Sequence, residues 1–285
     1  ITEAVSGAGS YIDAALHEYV GRPGKRVRPT LVLLCARAGD PVRRGLPKRS
    51  INLPDRIYHI AAAVEMLHMA TLIHDDVIDE AETRRGGSTL HRSYGIRQAV
   101  LMGDLLLSRA FQLVSNNSSM ENARYLSQAV GHICRGEIEQ AADEDPIRAT
   151  RRSYMRRIAG KTAVLFSLAC HTGSSENKRS PLHTMIVRRF GYDLGMAFQI
   201  VDDVLDVDGS ASRLGKPVGQ DLQRGVYTLP VILARNDDPG RFVPLLERVH
   251  DLSLDPETRG LHQDACHELI GALQGSAALD RKSVV

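Results

Sequence analysis

Tryptophan is absent from this 285-residue chain, and aromatic residues together make up only 5% of it. A site that wraps its ligand in aromatic rings is therefore poorly supplied. Cysteine is also scarce: Cys35, Cys134, Cys170 and Cys266 are scattered and form no CxxC pair. That argues against a disulfide framework or a zinc knuckle. Four reduced cysteines and a cytoplasmic location are expected. No apolar run approaches the roughly 20 residues of a membrane span, and no signal-peptide pattern is found. The chain opens on Ile1 rather than Met, so a longer native N-terminus is expected. Charge of one sign is lacking too. The formal net charge is +2, which gives no reason to expect a nucleic-acid or membrane-surface binder. Basic residues cluster only locally, as suits a small anionic ligand.

What is present is helical periodicity. Apolar residues recur at spacings of three and four, and strand alternation is hard to find, so the chain reads as all-α. Its length and the lack of an obvious linker imply a single domain over residues 1–285. Helices are expected at roughly 2–20, 28–38, 55–80, 92–115, 120–142, 150–172, 181–207, 221–235, 240–250 and 256–274. Breaks are expected at Gly39 to Pro54, Gly86 to Ser88, Asn116 to Ser119, Thr172 to Pro181, Asp208 to Gly219 and Asn236 to Gly240.

Two acidic runs stand out against this background. Asp75-Asp76-Val77-Ile78-Asp79 and Asp202-Asp203-Val204-Leu205-Asp206 have the same form, DDxxD, and each follows an apolar stretch that reads as core helix. Carboxylates on core helices are costly unless something cationic holds them. On a helix, positions i and i+4 share a face. Asp75 and Asp79 therefore project together, as do Asp202 and Asp206, with Asp76 and Asp203 beside them. Oxygen ligands without His or Cys favour Mg²⁺ over Zn²⁺. Two such clusters facing one cavity would trap divalent metal ions and the diphosphate those ions carry. The first cluster also lies near a helix C-terminus, where carboxylates are disfavoured, and metal binding accounts for it there.

Cations lie where a diphosphate would need them: Lys25 and Arg28 in Gly24–Pro29, Arg84 and Arg85 after the first run, Lys161 before Thr162, and Lys216 past the second run. His68 sits two helical turns before Asp75. His74 is placed to orient the neighbouring carboxylates.

Taken together, these motifs resemble the trans-prenyltransferases, the isoprenyl and polyprenyl diphosphate synthases. Gly24-Lys25-Arg26-Val27-Arg28-Pro29 resembles that family's GKxxRP. Glu65 to Asp79 resembles its first aspartate-rich motif with an upstream His, Arg84-Arg85 its paired arginines, and Lys161-Thr162 its KT motif. Phe198-Gln199-Ile200-Val201-Asp202-Asp203 resembles its FQxxDDxxD motif. The resemblance implies an all-helical bundle around a deep central cavity, usually a homodimer. It implies that Asp75, Asp76, Asp79, Asp202, Asp203 and Asp206 hold Mg²⁺ on an allylic diphosphate, partly through water. Arg84, Lys161 and Lys216 would contact that diphosphate. Lys25, Arg28, His68 and Arg85 would bind isopentenyl diphosphate, and Thr162 and Gln199 would line the reacting carbons. One departure is visible: Val226 stands where many members carry Lys, so one diphosphate contact is expected to be absent.

The implied reaction is Mg²⁺-dependent head-to-tail condensation of isopentenyl diphosphate with an allylic diphosphate. No Ser-His-Asp or Cys-His arrangement competes with it. Thr71 and Ala70, four and five residues before Asp75, are not bulky, so a product of twenty carbons or more is expected. Two rivals remain. A class I terpene cyclase also uses an aspartate-rich helix, but its second metal site normally mixes Asn, Ser and Glu, and the scarcity of aromatics disfavours it. A non-catalytic subunit of a two-component synthase would be expected to have lost aspartates or the KT pair, and this chain keeps them.

Overall fold

The computed structural model describes residues 1–38, 53–141, 146–208, 218–253, 256–276 and 279. Among these, secondary structure is helical apart from one two-residue hairpin. The helices are α1 Ser10–Gly21, α2 Val27–Arg37, α3 Asp55–Ile78, α4 Leu90–Tyr94, α5 Ile96–Asn117, α6 Met120–Ala141, α7 Arg151–Ile158, α8 Val164–Glu176, α9 Pro181–Asp208, α10 Gln220–Gln223, α11 Leu229–Asp237, α12 Pro239–Ser253 and α13 Arg259–Gln274. A π-helical turn, Ala159–Ala163, joins α7 to α8. No helix is long and apolar enough to cross a membrane among the described residues. The four cysteines are free thiols.

The all-α expectation holds, and α3 and α9 keep nearly their expected bounds. Three expected helices are divided by backbone that an L-residue helix does not adopt. Gly7 and Gly9, at φ +94° and +109°, delay α1 to Ser10; Gly95, at φ +88°, separates α4 from α5; Gly225, at φ +72°, separates α10 from α11. Glycine has no Cβ and takes these angles freely. The breaks expected at 39–54 and 208–219 lie almost wholly outside the described residues.

The chain divides into two compact units. One comprises residues 1–131 and 164–192, the other 132–163 and 193–285. In the first, α3 is the central helix. It is apolar over most of its middle and buries most of it: Ile57, Ile60, Val64, Met66, Leu67, Met69 and Ile73 are all inside. α2, α5 and α8 pack around it. Two glycines permit the closest approaches. A Cβ at Gly173 of α8 would stand 2.1 Å from the Val32 carbonyl oxygen of α2, and one at Gly103 of α5 would stand 2.3 Å from His74 Nε2. The second unit gathers the end of α9 with α10 to α13 around Val207, Tyr227, Phe242, Leu246, Cys266 and Leu269.

Glu176, the last residue of α8, fastens the start of α6. Its carboxylate accepts from the Ser118 hydroxyl, the Ser119 N–H at 2.8 Å and the Asn122 amide. Burial pushes this carboxyl up, but the three donors outweigh it and hold it below its ordinary 4.5. A depressed carboxyl contributes stability above its unfolded value and loses it as pH falls through the folded one. Glu176→Gln is expected to cost about 1–2 kcal/mol at pH 7. In urea titrations, the wild-type advantage should vanish as the pH falls below about 4.5.

Candidate active site

The first acidic run forms the last turn of α3, and Asp79 caps it, donating its N–H to the Asp75 carbonyl at 2.8 Å. Asp76 points inward and is 2% exposed. Arg84 Nε reaches Asp76 Oδ1 at 2.7 Å and Arg84 Nη2 reaches the same oxygen at 2.5 Å. The other oxygen, Oδ2, is buried with no hydrogen-bond partner among the described residues. Burial raises the Asp76 carboxyl, and this outweighs the ion pair that acts to lower it. The Tyr19 hydroxyl is pushed up to about 12, first by burial and then by the Asp76 charge.

Arg84 reaches Asp76 from a hairpin that the sequence shows only as a loop. Thr83 pairs with Ser88 and Arg84 with Gly87. The two residues between, Arg85 and Gly86, both have positive φ, 51° and 76°, the combination a type I′ loop requires. The Arg85 guanidinium then lies against Gly24, where a Cβ would meet Nη1 at 3.0 Å.

Arg28, Arg85 and His68 are brought into one electrostatic neighbourhood. Arg28 lies over the Phe166 ring, 4.9 Å from its centroid. Its Nε has no hydrogen-bond partner among the described residues. Burial and the nearby Arg85 lower it to about 10, against the pull of Glu65. His68 is held well below its ordinary value, first by burial and then by Arg28, Arg85, Arg84 and Arg26, so it is neutral. Lys25 is exposed. His74 does not orient the aspartates: it turns to α5, with Nε2 3.3 Å from the Val100 carbonyl and 3.4 Å from Asp104. Glu65 escaped the sequence reading. It is 2% exposed and accepts from Arg26 Nη1 at 2.8 Å. Arg26 sits in left-handed backbone at φ 48° and also donates to the Val20 carbonyl. This buried pair pins the Gly24–Pro29 segment to α3. The signal for it was available: a carboxylate inside an apolar run, the same argument that singled out the aspartates.

The second acidic run lies in the last two turns of α9. Asp202 is exposed, whereas Asp203 and Asp206 are 3% and 4% exposed. Both Asp203 oxygens are engaged, Oδ2 by the Tyr154 hydroxyl at 2.8 Å and Oδ1 by Gln199 Nε2 at 2.7 Å. Burial pushes Asp203 up to about 6, against these hydrogen bonds. Asp206 Oδ2 accepts from the Asp221 N–H at 3.2 Å, and its Oδ1 has no hydrogen-bond partner among the described residues. Thr162 and Lys161 belong to the π turn, a feature frequent at functional sites. The Thr162 hydroxyl donates to Gln199 Oε1 at 2.7 Å. Lys161 Nζ lies 2.9 Å from Glu137 Oε1 on α6, a partner for which the sequence gave no signal. Val226 is half-buried and donates its N–H to the Asp221 carbonyl at 2.9 Å. Lys216 lies outside the described residues.

Both runs thus offer a buried oxygen with no donor among the described residues, Asp76 Oδ2 and Asp206 Oδ1, and the ligands they offer are carboxylates alone. These residues fit Mg²⁺. Among the described residues, no three His, Cys, Asp or Glu side chains converge into a ready-made cage. Mg²⁺ tolerates that, because it keeps several waters and shares phosphate oxygens.

Heptaprenyl diphosphate synthase component 2 of Geobacillus stearothermophilus is 40% identical over 230 residues, a match spanning 79% of this chain and 67% of that protein. Among solved structures, heptaprenyl diphosphate synthase from Staphylococcus aureus superposes with a TM-score of 0.86 at 30% identity, covering 98% of this chain and 82% of that one. A polyprenyl synthase from Caulobacter crescentus, complexed with calcium and isoprenyl diphosphate, gives a TM-score of 0.83 at 33% identity, covering 98% and 80%. The polyprenyl synthetase profile matches residues 10–251, and the chain belongs to that family.

Proposed function

We propose that this chain is a trans-polyprenyl diphosphate synthase that joins isopentenyl diphosphate head-to-tail to an allylic diphosphate. The observation that carries the reading is the pair of buried carboxylate oxygens, Asp76 Oδ2 and Asp206 Oδ1, that have no donor among the described residues, one in each DDxxD run. Asp75, Asp76, Asp79, Asp202, Asp203 and Asp206 would serve Mg²⁺ directly or through water. The calcium and isoprenyl diphosphate of the Caulobacter crescentus relative support a divalent ion acting with a diphosphate. When bound, Mg²⁺ would supply neutralisation of the diphosphate charge that develops as the allylic C–O bond ionises.

The chain's own residues do the rest. Lys161, and the N–H groups of Arg84 not spent on Asp76, stabilise the leaving diphosphate; Lys216 would join them. Arg28, Arg85, neutral His68 and Lys25 hold isopentenyl diphosphate. The oxygens of Thr162 and Gln199 face the developing allylic cation. The isopentenyl double bond attacks that cation, the new C–C bond forms, and a proton leaves to the departed diphosphate, so no dedicated protein base is required. Val226 removes one cation, which weakens affinity and leaves the chemistry in place.

The direct test is mass analysis of products from isopentenyl diphosphate with allylic primers of three lengths. Linear products that grow by five carbons are expected. A cyclic product formed without isopentenyl diphosphate would instead mark a cyclase. The name of the Geobacillus stearothermophilus relative, component 2, supports a second arrangement, in which a different chain completes the enzyme in place of a second copy. Turnover by the purified chain alone decides for self-sufficiency, and turnover only with an added partner decides for two components.

Asp206→Asn should raise the Mg²⁺ concentration needed to bind inorganic diphosphate by about tenfold or more, read by titration calorimetry. An unchanged requirement would remove Asp206 from the metal set. For product length, Ala70 is 1% exposed and Thr71 is half-buried. Ala70→Phe is expected to shorten the product while costing about 1–3 kcal/mol of packing. Thr71→Phe places the same bulk beside it with more room. Unchanged product length in both would place the growing chain elsewhere.

A further inference from the structure

The geometry points to Tyr154 as a positioning residue for the proposed reaction, acting through Asp203 and Gln199 to orient the Thr162 hydroxyl; it rests on the functional reading above. Four side chains form one hydrogen-bonded file. The Tyr154 hydroxyl donates to Asp203 Oδ2 at 2.8 Å, Gln199 Nε2 donates to Asp203 Oδ1 at 2.7 Å, and the Thr162 hydroxyl donates to Gln199 Oε1 at 2.7 Å.

The direction of every bond in this file follows from one group. An ionised carboxylate only accepts. Gln199 must therefore turn its NH₂ toward Asp203, which leaves its oxygen facing Thr162. That oxygen only accepts, so the Thr162 hydroxyl must donate. Its proton is thereby committed, and its oxygen lone pairs remain for an electron-poor carbon. A hydroxyl that turned its proton outward would oppose the cation it is meant to face.

Tyr154 fixes the start of the file. It is 0% exposed, and its ring packs with Ile158, Ile200, Leu229 and Ile232. It has two torsions and both are locked by packing. It stands on α7, whose first turn is fastened by a capping box between Thr150 and Ser153. Its hydroxyl fills the second oxygen of a carboxylate that is 3% exposed, so the carboxylate cannot rotate to offer Gln199 a different edge. Tyr154 touches no reacting atom in this scheme. It sets the geometry of residues that do.

The test is Tyr154→Phe, which keeps the ring and removes one hydroxyl. We expect kcat to fall by about 10- to 100-fold, with KM for isopentenyl diphosphate unchanged within about twofold. Adding Tyr154→Phe to Thr162→Val should lower kcat by no more than about a further twofold, because the file already ends unread. Hydrogen exchange at the 159–163 amides should quicken, while the amides of α12 and α13 stay as they are. A kcat within about twofold of wild type, or losses that multiply in the double variant, would overturn the inference and leave Tyr154 as core filling. If wild type forms no product from any primer, alone or with an added partner chain, the functional reading fails on its own. The exchange measurement then still decides for or against the file.

Discussion

Asp76 and Asp203 are carboxylates almost fully buried, each on a long helix that carries much of the core around it. Left alone, each would shift its pKa and lose its charge. Each is held differently. Asp76 spends one oxygen on a guanidinium delivered by the hairpin, and Asp203 spends both on neutral donors. The surrounding architecture answers these two requirements. The hairpin exists where an arginine can reach back eight residues to α3. The buried tyrosine on α7 and the amide on α9 meet at a single carboxylate. Removing any one holder would strand a buried charge, which costs more than the bond itself contributes.

The sequence disclosed the parts of the site that depend on short spacing. The DDxxD runs, the Gly24–Pro29 segment, Arg84-Arg85 and Lys161-Thr162 are each readable within about six residues, since their geometry is that of one helix turn or one loop. The all-α fold was readable for the same reason. Tyr154 and Glu137 were not, because their partners are distant in the chain and a Tyr or Glu on a helix face is ordinary. Glu65 was readable by the argument already applied to the aspartates and was passed over. Helix boundaries at Gly95 and Gly225 were missed because a single glycine inside a periodic pattern does not announce a positive φ.

The hairpin is a case where local chemistry and tertiary demand part company. Type I′ loops prefer Asn-Gly or Asp-Gly, and Arg85-Gly86 matches only the second position. A non-glycine residue with positive φ is uncommon. Arg85 is kept there, and its side chain consequently lies against Gly24, beside the segment that Glu65 and Arg26 pin down.

That placement bears on how tightly a ligand can be gripped. A long cationic side chain that waves in solvent must be immobilised when an anion arrives, at a cost of about 0.5–1.5 kcal/mol each. Arg84 is already moored to Asp76, and the Arg85 guanidinium lies against Gly24, where the missing Cβ makes room for it. Folding has placed the Arg84 guanidinium before any encounter. For the diphosphates proposed to bind here, that part of the affinity would be preorganised, and loosening the turn would weaken it without deleting a single charge.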